Sequence, residues 1–113
     1  GDKLKTARRL FTKKIITSLP DVIITSNDLI AQGIISAAHE NGINIPNDMQ
    51  ITGFDDSLSS AYFIPSVTTV SQNIDELAKR CFSMLMNLIN KKSAVSSIIE
   101  QNIISRSSAK INI

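Results

Sequence analysis

Three short apolar runs, each rich in β-branched residues and each ending abruptly in polar side chains, constrain this chain more than any other feature. Val22-Ile23-Ile24-Thr25 runs into Ser26-Asn27-Asp28. Met49-Gln50-Ile51-Thr52-Gly53-Phe54 runs into Asp55-Asp56, and Val67-Thr68-Thr69-Val70 into Ser71-Gln72-Asn73. Runs of this length without helical spacing, the central one preceded by the turn signal Ile45-Pro46-Asn47-Asp48, read as strands. The segments around them carry helical periodicity. Strands alternating with helices predict an α/β fold with a mainly parallel sheet flanked by helices. In such sheets ligands bind outside the carboxyl ends of the strands, so three polar clusters converge on one edge.

The expected order is α-β-α-β-β-α-β. Residues 3–18 form the first helix, with Leu4, Ala7, Phe11 and Ile15 on one face and Lys5, Arg9 and Lys13 on another; Pro20 ends it. Six basic residues precede Asp21, but without a helix-turn-helix pair, zinc finger or aromatic interleaving they read as a solvated face. A second helix follows Ser26-Asn27-Asp28, any of which can cap it, and stops at Asn41-Gly42. Ile30, Ile34, Ala37 and Ala38 form its apolar side; Gln32, Ser36, His39 and Glu40 form its wet side. Gly33 permits close approach of another element. Residues 57–65 read as a loop, in which Tyr62 and Phe63 either line a ligand or subunit surface or cover the sheet edge. Asn73-Ile74-Asp75-Glu76 resembles a capping box and opens a helix over 74–90. The apolar stripe of that helix holds Ile74, Leu77, Cys81, Leu85 and Leu88, with Cys81 expected to be packed and unreactive. Residues 98–104 read as a final strand, and the tail to Ile113 as a fraying end or short edge.

A chain of 113 residues is one domain's length and buries roughly two-thirds of its unfolded surface. Its first residues drop almost directly into a helical pattern, which reads as a cut chain. A net charge of +2 gives no sign of nucleic-acid binding. One cysteine excludes a disulfide framework and fits a reducing compartment. No apolar run approaches the ~18 residues of a membrane span, and no signal peptide is evident, so the cytoplasm is the expected location. One His and one Cys cannot build a zinc site. The phosphate-binding and nucleophile-elbow motifs are absent. Asp55 and Asp56 are adjacent on an extended chain and point apart, which argues against an acid/base pair. No metal, cofactor or catalytic residue is expected. Asn27, Asp55 and Gln72 each follow a strand end, and carboxylates and amides suit the donor-and-acceptor hydroxyls of a polyol.

Five segments, in unbroken order from about residue 20 to 105, carry a family resemblance. They are Pro20 to Asp28, Ala31-Gln32-Gly33, Glu40 to Asp48, Ile51 to Asp56, and Pro65 to Gln72. Together they resemble the C-terminal part of the effector-binding domain of LacI/GalR-type bacterial transcription regulators. The resemblance implies a partial type I periplasmic-binding-protein-like fold, in which two α/β lobes enclose a cleft. It implies that Asn27, Asp55 and Gln72 face a small-molecule effector, a mono- or disaccharide, and that Ile30, Ile34 and Phe63 contribute to a homodimer interface. Residues 1–72 would then belong to the C-terminal lobe, residues 73–97 to the other lobe, and residues 98–113 to a returning strand and tail.

The family's helix-turn-helix, hinge helix and most of its N-terminal lobe have no counterpart in the sequence, so operator DNA would be reached only through a segment not present here. An uptake-system sugar receptor of the same fold is the alternative reading, and a sugar-converting enzyme a third. Without the second lobe the stripe from Ile74 to Ile89 has no sheet to cover. It is therefore expected to pack back on its own domain or against another copy.

Overall fold

The computed structural model describes residues 2–111. Helix α1 (Lys3–Leu10) is capped by Asp2, whose carboxylate accepts from the Lys5 N–H. It widens into one π-helical turn over Phe11–Ile15, closed by the Ile16 N–H donating to Phe11 O. The regular helix is thus shorter than the 3–18 periodicity suggests. The widened turn keeps Phe11, fully buried, on the core side.

Strand β1 (Val22–Ile24) leads to α2 (Asp28–Glu40), then to β2 (Gln50–Thr52) and a short helix α3 (Leu58–Tyr62). Next come β3 (Thr69–Ser71), α4 (Ile74–Ile89) and β4 (Asn102–Ile104). β1 and β2 pair in parallel with Ile23 opposite Ile51, and Thr52 continues in parallel to Thr68. β3 and β4 form an antiparallel ribbon with Val70 opposite Ile103. The α/β class and the parallel centre agree with the sequence reading. α3 replaces part of the expected loop, and the final strand is three residues long instead of starting at Ile98.

The core lies between the α1–α2 layer and the sheet: Ala7, Phe11, Ala31, Ile34, Ile35, Ala38, Met49, Ile51 and Val67 are buried together. Apolar side chains at this helical spacing on α2 drive its docking. Gly33 brings α1 and α2 into contact, since a Cβ there would lie 3.0 Å from Leu4 O. Gly42 takes φ +71° to turn the chain out of α2. Ile34 is 5% exposed and belongs to this core, with Ile30 and Phe63 packed against it. Its position on the inner stripe of α2 makes it a core side chain in this structure.

Three more expectations are corrected. Gln32 is buried, not wet, because α3 folds over it: its Nε2 donates to Ser59 Oγ at 2.8 Å and to Ser60 Oγ at 3.2 Å. Asn73 sits at the N-cap of α4 with φ +54°, and its side chain makes no cap bond. Of the two readings of the tail, fraying does not hold for Ser108 and Ala109: both are buried, with the Ile51 N–H donating to Ser108 O at 2.9 Å and the Ser108 hydroxyl to Ile51 O at 2.6 Å. Ile113 lies outside the described residues.

α4 stands apart from this body. None of its residues is buried; Ile74, Phe82, Leu85, Leu88 and Ile89 are exposed, and so is Cys81. The helix does not pack back on its own domain, and its stripe has no surface of this chain to meet. The described residues extend 59 × 35 × 22 Å, an elongated body that follows from this projecting helix.

Candidate functional site

The site is built at the carboxyl ends of the three strands. At the end of β1, the Thr25 hydroxyl lies 2.9 Å from both Asn27 O and Thr52 O, tying the turn to β2. The Asp28 N–H then donates to Phe54 O at 2.9 Å. Asn27 is the N-cap of α2: its backbone is extended, and its Oδ1 accepts from the Ile30 N–H at 2.9 Å. This is the capping that a short oxygen-bearing side chain supplies. Its side-chain amide N–H groups make no bond among the described residues.

Asp28 organises the region and was legible in the sequence only as a possible cap. It is 1% exposed, and its carboxylate accepts three hydrogen bonds. Oδ2 accepts from the Ser57 N–H and the Ser60 hydroxyl, both at 2.7 Å, and Oδ1 accepts from the Thr69 hydroxyl at 2.6 Å. One buried carboxylate thereby joins α2, α3 and β3, and bonds to a charged acceptor are the stronger kind.

At the end of β2 the chain turns through two residues of positive φ, Asp55 at 105° and Asp56 at 53°. The Asp55 N–H donates to Val70 O at 3.0 Å, which sets the turn against β3. The two carboxylates diverge, but in a positive-φ turn and not on the extended chain expected from the sequence. Asp55 is exposed, and Gln72 Nε2 donates to its Oδ1 at 2.7 Å. Asp56 turns inward to Arg106, with Nη2 2.6 Å from Oδ1.

Of the three residues read from the sequence, the structure therefore joins Asp55 and Gln72 directly. It places Asn27 on the same edge without a bond to either. Arg106 and Ser108 carry no local signal, because they lie in the tail and their partners are 38 or more residues away in sequence.

The exposed part of the edge carries the Asp55 carboxylate and the Asn27 and Gln72 amides, and the Arg106 guanidinium is taken up by Asp56; this suits neutral hydroxyl-bearing ligands better than anions. It is open to solvent. A concavity of about 580 Å³ lies elsewhere, between Ile35, His39, Ile43, Ile45, Ile64 and Pro65. It is at the far end of α2, roughly 20 Å along the helix at 1.5 Å per residue. Its walls are mostly apolar, and none of the three strand-end residues reaches it. Among the described residues no three His, Cys, Asp or Glu side chains group as metal ligands.

An α/β lobe with a polar, cleft-like strand edge is the architecture of periplasmic-binding-protein-like effector domains. Residues 2–109 match the periplasmic binding protein-like domain family, and the chain belongs to it. The HTH-type transcriptional repressor PurR of Pasteurella multocida is 35% identical over 85 residues, which are 75% of this chain and 25% of that protein. The periplasmic binding ribose operon repressor protein of Lactobacillus acidophilus superposes with a TM-score of 0.84 at 30% identity, over 97% of this chain and 41% of that one. A LacI-type transcription regulator of Bifidobacterium animalis subsp. lactis gives 0.80 at 27% identity, over 96% and 39%. The chain thus spans about a quarter of the PurR relative and about two-fifths of the solved chains. These relatives are transcription regulators, in agreement with the LacI-type resemblance of the sequence.

Proposed function

We propose that the chain is the C-terminal part of the effector-sensing domain of a LacI-type regulator, and that Asn27, Asp55 and Gln72 form one wall of a sugar-binding cleft. The observation that carries this reading is the Gln72–Asp55 bond of 2.7 Å at an exposed strand edge. A paired amide and carboxylate in solvent gain little from each other, but they present matched donors and acceptors to a polyol. The ribose operon repressor among its structural relatives makes a pentose the first ligand to try. The reading is non-catalytic and cytoplasmic, and among the described residues no helix is long and apolar enough to cross a membrane.

In this reading residues 1–72 are one lobe, residues 73–97 serve the second lobe, and residues 98–113 return from it. The exposed stripe of α4 then faces that second lobe. Effector binding would favour the closed arrangement by its differential affinity, and so bias a dimer between operator-binding states. The exposed apolar side chains Leu58, Tyr62 and Ile64, on and beside α3, offer a dimer surface around Phe63. Operator DNA would be reached through the helix-turn-helix that names these relatives.

Half a cleft binds weakly. Two or three charge-assisted hydrogen bonds at ~1.5–3 kcal/mol each must offset the entropy of association, which leaves about −4 kcal/mol, a millimolar constant. NMR shift titration of the ¹⁵N-labelled chain with D-ribose, then with hexoses and disaccharides, reads that range. Saturable shifts at Asn27, Asp55 and Gln72, lost in Asp55→Ala, are the expected result. Shifts confined to other residues, or none with any sugar, would remove the sugar-sensor reading.

A further inference from the structure

Arg106 follows β4 by two residues and lies in no regular element, yet it is tied at three points. Its Nη2 reaches Asp56 Oδ1 at 2.6 Å, its Nη1 donates to Val67 O at 2.9 Å, and its backbone N–H donates to Thr68 Oγ1 at 2.9 Å. The two ion-pair side chains are only 17% and 26% exposed, unlike the other ion pairs of the chain. Ser108 fixes the segment from the other side, accepting at its Oγ from the Thr68 N–H at 2.9 Å.

What Arg106 grips is a turn that needs holding. Asp55 and Asp56 both occupy the positive-φ region that residues with a Cβ rarely adopt. Such turns persist where the surroundings over-determine them. Apart from Asp55 with Gln72, three bonds do so: the Asp55 N–H to Val70 O at 3.0 Å, the Asp56 N–H to Thr69 Oγ1 at 3.3 Å, and the Asp56 carboxylate to Arg106. Only the last is charged on both sides, and only the last comes from the segment that returns from α4.

We propose that Arg106 is a positioning residue of the effector site. By holding Asp56 inward it sets the turn that points Asp55 at Gln72, and it links that turn to β4. A displacement of α4 and β4 then reaches the Asp55–Asp56 turn through the Arg106 side chain, in addition to the pairing of β4 with β3. The inference rests on the effector reading for what Asp55 binds, but the geometry it predicts is independent of any ligand.

The test compares Arg106→Ala and Arg106→Lys in the ¹⁵N-labelled 113-residue chain. The readouts are the H^N–Hα coupling and amide exchange of Asp55 and Asp56, and the D-ribose titration. Arg106→Ala is expected to change the couplings of both residues and to speed Asp55 amide exchange by about tenfold. It should weaken ribose binding by a similar factor, while the amides of Ala38 and Gly42 stay unchanged. Arg106→Lys restores part of the effect, since it keeps the charge but not the fork that also reaches Val67. Asp56→Asn reports the same loss if Arg106→Ala fails to fold. Unchanged coupling and exchange at Asp55 in Arg106→Ala, or equal disturbance at Ala38 and Gly42, would overturn the proposal. If the parent chain binds no sugar, the effector reading fails alone, and the couplings still decide the role of Arg106.

Discussion

The carboxylate of Asp28 occupies the space that a side chain at residue 53 would need: a Cβ on Gly53 would sit 2.1 Å from Asp28 Oδ1 and 3.2 Å from Asp28 Cα. The glycine is required by approach, because α2 begins directly beneath the strand end that carries Asp55. Asp28 cannot swing away without leaving Ser57, Ser60 and Thr69. Gly53→Ala is therefore expected to lower stability by roughly 2–3 kcal/mol, the upper range for overpacking. Urea unfolding measures it, and a loss under about 0.5 kcal/mol, the scale of an ordinary surface change, would show that the approach is loose.

Asp28→Asn keeps the volume but replaces one acceptor oxygen with a donor. Oδ1 has one partner, the Thr69 hydroxyl, and Oδ2 two, the Ser57 N–H and the Ser60 hydroxyl. The Ser57 N–H can only donate, so the amide must keep its oxygen on Ser57 and Ser60 and turn its NH2 to the Thr69 hydroxyl, which then has to accept. What is lost is the charge of the acceptor, and a bond to a charged group contributes ~1.5–3 kcal/mol against about 1 for a neutral one. The variant should be destabilised by roughly 1–3 kcal/mol in the same unfolding experiment. Its Asp55 and Gln72 amide shifts should also move, because the anchor common to β3 and α3 is weakened.

The strands were legible because β-branched runs with no helical period have few alternatives; the buried Ile51 marks the centre of β2. The placement of Asn27 as a cap was legible for the same local reason. What escaped was non-local. A helical wheel puts Gln32 on the wet side, and nothing within α2 reveals that Ser59 and Ser60, 27 and 28 residues on, will cover it. α3 is a single turn and a half without a periodic pattern. Asn73 carries a cap signature, but its positive φ leaves the side chain without a cap bond. The tail was misjudged because Ser108 and Arg106 have no hydrophobic period to announce them. Polar bonds, not apolar packing, insert them beside β2 and β3.

The Arg8–Glu40 pair joins α1 to the end of α2 and gives stability a dependence on pH. Arg8 Nη2 reaches the two Glu40 oxygens at 2.7 and 2.6 Å, and Nη1 donates to Ser36 Oγ. The hydrogen bond from Arg8 holds the Glu40 carboxyl below its ordinary value of 4.5, against a smaller opposing effect of desolvation, with the charges of Arg8 and His39 adding to the lowering. A lowered folded-state value means that the contribution is complete above 4.5 and is lost as pH falls through the lowered value. The stability gap between the parent chain and Glu40→Gln should therefore be widest above 4.5 and close on acidification. It should also shrink with added salt, since both side chains are partly in solvent. A gap that grows at low pH would contradict the assignment.

Asn27 combines two roles that one pair of substitutions separates. As a cap its Oδ1 alone is used, accepting from the Ile30 N–H. As an effector contact its amide N–H groups would donate to a sugar hydroxyl. Asp caps as well as Asn but only accepts when ionised. Asn27→Asp should thus hold stability within about 0.5 kcal/mol, while Asn27→Ala loses ~1 kcal/mol. Both should weaken D-ribose binding by roughly tenfold in the NMR titration, because both remove the donors. If Asn27→Asp binds ribose as the parent does, Asn27 is a cap and nothing more. The cleft wall then reduces to Asp55 and Gln72, whose hydrogen bond would have to account for the sugar affinity of this lobe on its own.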